Sequence, residues 1–170
     1  MDPLYIILRL VHIVGGMLWV GMGVFLPVFL APAMQDLGPD AGKVMGALQK
    51  RGFMTVLPLI ALANIVSGVW LYIRMSGGDV VTFFSTRMGM AFGTGGLAAI
   101  TAFLIGILFT RPAILRVATM MQQIPAAAPA EREQLMQAAM QLRARSTILT
   151  RVVGTLLIVA GAIMAVARFA

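Results

Sequence analysis

The chain alternates between four long apolar stretches and shorter segments that carry most of its charge. Each apolar stretch holds about 20 or more predominantly apolar residues, the length that a helix needs to cross the hydrocarbon core of a bilayer. The pattern therefore predicts an all-α fold, an integral membrane four-helix bundle that forms a single membrane domain over residues 1–170. The four predicted spans are residues 4–30, 53–73, 88–110 and 148–167.

The three loops that join the spans in chain order carry their own structural signals. Residues 40–50 predict a short helix in loop one, and Gly77-Gly78-Asp79 predicts a turn in loop two. In loop three, Arg111-Pro112 is expected to end the third span, because proline interrupts a helix. Residues 131–146 lack turn residues and predict a cytoplasmic helical extension that runs straight into the fourth span. No internal repeat is evident along the chain.

The composition supports a membrane protein and excludes several kinds of chemistry. Hydrophobic residues make up 60% of the chain and charged residues 11%, against roughly 25% charged residues in soluble domains. The absence of cysteine excludes disulfides, thiolate metal sites and cysteine nucleophiles. The first apolar stretch is too long for a cleaved signal peptide, so we expect it to be retained. The sequence contains no serine–histidine–carboxylate set and no carboxylate pair within a span, so we predict no catalytic residue.

The positive charges predict the topology. Because lysine and arginine concentrate in cytoplasmic loops, loops one and three are expected in the cytoplasm and both termini on the outer, periplasmic side of the inner (cytoplasmic) membrane. The net charge of +7 then reflects loops that contact anionic lipid, and no nucleic-acid partner is expected. Of the 13 basic residues, four lie on the outer side, namely Arg9, Arg74, Arg87 and Arg168, and the other nine on the cytoplasmic side.

The first span contains the only histidine of the chain, His12. At about 100° per residue, His12, Gly16, Trp19 and Gly23 fall on one narrow stripe of a helix, with Gly15 beside it. A polar side chain in a membrane helix faces the bundle interior, and glycines let another helix or a flat cofactor approach the backbone. The residues expected at a similar depth on the other spans are Asn64, Ser67, Gly68, Met90, Gly93, Thr94, Gly161 and Met164.

A lone imidazole in a four-helix membrane bundle has three interpretations. It can be an axial ligand of haem iron, since four-helix bundles often hold cofactors and neutral imidazole ligates haem. It can be a structural or proton-handling histidine, or a copper ligand assisted by thioethers. Arg9, Arg74, Arg87 and Arg168 are expected at the same outer end, where they would suit the propionates of a haem. They would equally cap helix ends and extend their charges to the interface.

Residues 8–28, LRLVHIVGGMLWVGMGVFLPV, resemble the first transmembrane helix of the CopD-like membrane proteins, which include the HemJ-type protoporphyrinogen oxidases. His12, Trp19 and Gly21 match the shared pattern of a histidine, a gap, then tryptophan and glycine. The resemblance implies a four-helix membrane bundle that can carry haem b on His12. Where the HemJ-type proteins have a lysine near the start of the third span, this chain has Arg87, which would clamp an anion rather than act as a base. The copper proteins of this group have more histidines at their site than the single histidine of this chain.

The leading functional hypothesis is a small membrane protein that binds one haem b and acts in electron transfer. His12 would be the metal ligand, and the opposite axial position would be open or filled by Met90, Met164 or a second protomer's histidine. The alternative is a non-catalytic accessory or scaffold subunit of a larger membrane complex, and a third hypothesis is transport of copper or another small solute. The expected partners are the lipid bilayer and either complex subunits or further copies of this chain. The residues predicted to bind the cofactor are His12, Arg9, Gly16, Trp19, Arg74 and Arg87.

Overall fold

A computed structural model describes residues 2–169, and every regular element in that range is helical. Four of the helical stretches are long and apolar enough to cross a membrane, which confirms the all-α class and the four predicted spans. The elements are α1 (Pro3–Phe25), α2 (Ala31–Asp36), α3 (Ala41–Lys50), α4 (Phe53–Met75), α5 (Val80–Phe84), α6 (Arg87–Ile105), α7 (Arg111–Gln123) and α8 (Pro129–Val166), with π-helical turns at Leu26–Leu30 and Gly106–Thr110 and 3₁₀ turns at Gly38–Asp40, Ile124–Ala126 and Ala167–Phe169.

The four membrane helices form a closed ring in which α1 and α6 each pack against both α4 and α8. The centre of the ring is built mostly from small side chains, which let the helix backbones approach closely. The outside is covered by large apolar side chains such as Leu10, which is 62% exposed. A surface of this kind is stable in lipid rather than in water, so the protein is a multi-pass membrane protein. The buried central side chains are Trp19, Ala61, Ala99, Ala102, Leu157 and Ala160.

The helix of the third span does not end at Arg111-Pro112, and this prediction was wrong. The helical path continues from Arg87 to Ala126. The π-helical turn just before Pro112 explains the continuity, since the amide of Arg111 bonds to the carbonyl of Gly106, five residues earlier. The wider turn accommodates a proline that cannot donate a hydrogen bond and would otherwise clash with the carbonyl four residues back.

The two halves of the bundle match in several features, although no repeat is evident from the sequence alone. The two π-helical turns, at 26–30 and 106–110, lie 80 residues apart, and a Gly-Gly pair precedes each while a Pro-Ala pair follows each. The packing repeats as well: Gly15 faces the Ile60 carbonyl and the Asn64 side chain, and Gly95 faces the Ala160 carbonyl and Met164. The hairpins α1–α4 and α6–α8 therefore share these turns and glycine contacts at matching positions.

The segments outside the spans match their predictions. Loop one contains α3 where residues 40–50 predicted a helix, and α8 runs unbroken from Pro129 to Val166, so the extension is continuous with the fourth span. In loop two, Gly77 and Gly78 have φ angles of 61° and 95°, the left-handed region that glycine tolerates best. The Asp79 carboxylate then accepts a hydrogen bond from the Thr82 amide at 3.0 Å and begins α5. That bond holds the pKa of Asp79 below its ordinary value.

The hydroxyl of Tyr72 connects the second span to the third, since it donates a hydrogen bond to the Gly89 carbonyl at 2.9 Å. We expect Tyr72→Phe to lower the free energy of unfolding by about 0.5–1.5 kcal/mol, the net contribution of one such bond. Denaturant titration of the protein in detergent measures this loss. Tyr5→Phe is the matched control, because it removes a hydroxyl at the same end of the bundle without breaking a hydrogen bond between described residues. An equal loss in both variants would contradict the assignment.

Candidate functional site

His12 lies on the face of α1 that packs against α4, and its ring is half-buried. Its Nδ1 atom is 2.9 Å from the main-chain carbonyl oxygen of Asn64. Because a carbonyl oxygen only accepts, Nδ1 must carry the hydrogen and donate it. In the neutral ring the lone pair then belongs to Nε2, which leaves that atom able to bind a proton or a metal.

Gly68 is the residue against which the imidazole packs. A Cβ atom built at position 68 would lie 2.6 Å from the His12 Cε1 atom and 3.0 Å from Nδ1, closer than such atoms approach. The missing side chain at Gly68 therefore makes room for the ring itself. One turn earlier on α4, the Asn64 carbonyl fixes the orientation of the ring, so the two residues together determine where Nε2 lies.

The Asn64 side chain is the second polar group of this contact. Asn64 is only 7% exposed, and its Oδ1 atom has no hydrogen-bond partner among the described residues. This oxygen lies over Gly16, where an added Cβ would be 3.2 Å away. A buried acceptor left unpaired costs about 1–3 kcal/mol, so a donor at this position would stabilise the site. Ser67, 1% exposed, instead satisfies its hydroxyl by donating to the Ala63 carbonyl at 2.7 Å.

Of the two expectations for the glycines of the stripe, approach of another helix or of a flat cofactor, the described contacts show the first. The space beside Gly15 and Gly16 is taken by Asn64, and the space at Gly23 is taken by Leu157, whose Cδ1 would lie 2.8 Å from an added Cβ. These glycines serve close helix packing, which is their usual role in membrane bundles.

Trp19 belongs to the packed centre of the bundle. It is 6% exposed, and its ring meets that of Phe103 edge to face with 6.3 Å between centroids. Such an arrangement stabilises aromatic pairs. The position is one of packing between the first and third spans, two turns further into the bundle than His12.

The four outer arginines make different contacts, and Arg168 lies 4.8 Å from the centre of the Phe169 ring. Arg9 lies one turn from His12 on α1 and is exposed, and Arg87 begins α6 and is also exposed. Arg74 pairs with the Asp2 carboxylate at 3.2 Å and lies 5.7 Å from the centre of the Trp70 ring. Arg74 therefore fits the expectation that an arginine anchors the end of its helix.

The residues expected at the depth of His12 face the bundle interior on the second span but mostly not on the third. Asn64 and Gly68 contact the His12 stripe as expected. On α6, however, Met90 is 49% exposed and Thr94 is exposed with its hydroxyl bonded to the Met90 carbonyl, so both face outward. Gly93 faces inward but is covered by Phe84 of α5, whose Cε2 would lie 2.6 Å from an added Cβ.

The fourth span also leaves His12 without a described second ligand. Met164 packs on Gly95, and Gly161 is next to Val20 rather than His12. Among residues 2–169, no three His, Asp or Glu side chains gather into a group that could hold a bare metal ion. Met17, the nearest methionine to His12 along α1, is 71% exposed and faces away from the bundle. Of the two methionines predicted as possible second ligands, Met90 is thus exposed and Met164 packs on Gly95.

Because the chain has a single histidine, its tautomer can be measured without assignment. We expect ¹⁵N-histidine NMR in lipid to show a hydrogen on Nδ1, as the bond to the Asn64 carbonyl requires.

Gly68→Ala should displace the His12 ring, weaken its bond to the Asn64 carbonyl and lower the free energy of unfolding by about 1–3 kcal/mol, as overpacking does. Gly21→Ala is the control, since nothing lies within 4 Å of an added Cβ there. A proton only on Nε2 in the unaltered protein would contradict the geometry.

Comparison of the chain with protein-family models, with curated proteins and with solved structures finds no match.

Proposed function

We propose that this protein is a small multi-pass membrane protein that binds one haem b through Nε2 of His12 and takes part in electron transfer. The observation that carries the proposal is the hydrogen bond from Nδ1 to the Asn64 carbonyl. Metal-bound histidines commonly donate their other ring hydrogen to a carbonyl or carboxylate, which fixes the tautomer and makes the ligating nitrogen more basic.

The donor set at His12 fits a haem better than a bare metal ion. Because a porphyrin supplies most of the iron ligands itself, a single imidazole from the protein would be enough to hold a haem. When bound, haem supplies a one-electron redox couple, and a quinone or an attached redox protein would be the exchange partner. The glycine faces at 15 and 16 are filled by Asn64, so they do not form the porphyrin walls. His12 would hold the iron, and Arg9 and Arg87 are exposed cations that would suit the propionates.

The charge distribution supports an orientation for this site. We place the end with both termini and loop two, called here the terminal end, on the periplasmic side of the inner membrane. The opposite end, with loops one and three, is called here the basic end and faces the cytoplasm. His12 is nine residues after Pro3, about 14 Å along α1 at 1.5 Å per residue, so the site lies in the outer half of the bilayer.

Absorption spectroscopy tests the proposal. The protein is expressed with a haem precursor in the medium, purified in mild detergent and measured in the oxidised and reduced states. We expect a Soret band that shifts on reduction, and a pyridine haemochrome assay should give about one haem b per chain. Purified chain that shows no Soret band, even after titration with haemin, would rule the proposal out.

A second candidate function is a non-catalytic subunit of a larger membrane complex. This candidate needs no cofactor, because the contacts of Gly16, Gly23 and Gly68 are explained by helix packing within one chain. In that case the hydrogen bond between His12 and the Asn64 carbonyl serves to hold the first two spans together. Purification under native conditions separates the two candidates: co-purifying subunits without haem support the subunit, and a haem-loaded free chain supports the electron carrier.

A further inference from the structure

The basic end of the bundle contains a groove between α7 and α8, formed where these two helices run side by side beyond the third and fourth spans. The groove encloses about 260 Å³. Two of its lining residues are arginines, Arg116 from α7 and Arg145 from α8, and Ser146 lies between the helices with only 7% exposure. The Ser146 hydroxyl is already satisfied by the Arg143 carbonyl at 2.9 Å, so the arginines are the polar groups available to a ligand.

The groove is apolar at its membrane side and carries two arginines toward its other side, where Leu142 also lines it. At the membrane side it is formed by Leu108, Phe109 and Leu149, of which the first two are 59% and 58% exposed. Arg116 lies seven residues beyond Phe109, and Arg145 lies four residues before Leu149 on the antiparallel helix. Both arginines are therefore at the same end of the groove, one to two helical turns from its apolar part.

Neither arginine is neutralised by a neighbouring acid. The ion pairs found between described residues join Lys43 to Asp40 and Arg74 to Asp2. The nearest acidic residue along α8 is Glu133, twelve residues from Arg145, which corresponds to about 18 Å of helix. α7 contains no acidic residue. The end of the groove therefore carries two uncompensated positive charges next to an apolar surface.

We propose that this groove binds one anionic phospholipid. The phosphate lies between the guanidinium groups of Arg116 and Arg145, and the first part of an acyl chain lies along Leu108, Phe109 and Leu149. Arginine suits this role because its planar fork of donors matches the oxygens of a phosphate. Basic pockets between membrane helices are recognised sites for acidic lipid head groups. The site is independent of His12, since it lies at the opposite end of the bundle.

Native mass spectrometry of the delipidated protein in detergent tests this site. Phosphatidylglycerol is the probe, phosphatidylcholine is the zwitterionic comparison, and glycerol 3-phosphate tests whether the head group alone suffices. We expect a single phosphatidylglycerol adduct that survives mild activation, weaker adducts with phosphatidylcholine, and no effect of glycerol 3-phosphate. At about 1 kcal/mol per basic residue, R116Q/R145Q should weaken phosphatidylglycerol binding about 10- to 30-fold.

The control double variant is R111Q/R143Q, which removes the same charge from the same two helices at exposed residues that do not line the groove. It should keep the affinity within about twofold, and R116K/R145K should retain part of it because the charge remains. Equal losses in R116Q/R145Q and R111Q/R143Q would overturn the proposal in favour of general charge attraction. Equal binding of phosphatidylcholine, or displacement of the lipid by glycerol 3-phosphate, would also overturn it.

Discussion

His12→Ala is expected to remove haem from the purified protein completely, so that the Soret band disappears while the chain still folds. The reason is that the described residues near His12 offer no second histidine, and no group of three His, Asp or Glu is available as a substitute. A haem that loses its one protein ligand keeps only apolar contacts and is lost to the detergent. Absorption spectra and the haemochrome assay, taken on matched amounts of protein, measure the loss.

Two controls separate loss of the ligand from loss of the fold. Asn64→Ala keeps the main-chain carbonyl that accepts from Nδ1, so it should keep haem despite the shorter side chain. Added imidazole should restore haem to His12→Ala, because the alanine leaves a ring-sized space against Gly68. A Soret band of unchanged position and intensity in His12→Ala would show that the iron is not bound by this residue.

Gly154→Ala is expected to destabilise the bundle more than the other packing variants, by about 1–3 kcal/mol or more. A Cβ atom at position 154 would collide with the main-chain carbonyl oxygen of Gly23, where α8 crosses α1. A main-chain atom cannot rotate away as the end of a side chain can, so the two helices must separate. Separation also exposes Leu157, which is 1% exposed and packs against Gly23. The measurement is the free energy of unfolding from denaturant titration in detergent micelles.

Gly96→Ala is the matched control for this variant. Gly96 lies within α6, and an added Cβ would meet nothing within 4 Å. Alanine also favours the helix over glycine by roughly 1 kcal/mol in water. Gly96→Ala should therefore leave the stability unchanged or slightly raise it. Equal free energies of unfolding for the Gly154→Ala and Gly96→Ala variants would contradict the close approach of α1 and α8.

The depth of a residue could be predicted from the sequence, but its direction could not. Counting along each span at 1.5 Å per residue put Asn64 and Gly68 level with His12, and both contact its stripe. The same counting put Met90 and Thr94 at this level, yet both face outward. The rotation of a helix about its axis depends on which neighbours it packs against, and a helix that is apolar on all sides carries little periodic signal to reveal it.

The similarity between the two halves of the bundle also could not be recognised from the sequence. The two halves share a Gly-Gly pair and a Pro-Ala pair at a spacing of 80 residues, which is too little identity to stand out in an apolar sequence. The equivalence is clear only from packing, where Asn64 and Met164 occupy matching positions against Gly15 and Gly95. At the position equivalent to His12 the second half has Phe92, so the polar site exists in one half alone.

The sequence by itself determined that this chain has four helices long and apolar enough to cross a membrane, that most of its positive charge lies in loops one and three and the adjoining ends of the spans, and that one imidazole lies within the first of these helices. These properties follow from run length, composition and spacing along a single chain, which need no knowledge of neighbours. Only the tertiary structure decided that His12 donates to the Asn64 carbonyl, that glycines receive side chains from other helices, and that Arg116 and Arg145 share a groove. Those properties depend on contacts between residues far apart in the sequence. The rotation of each helix about its axis and the distance between neighbouring helices determine these contacts.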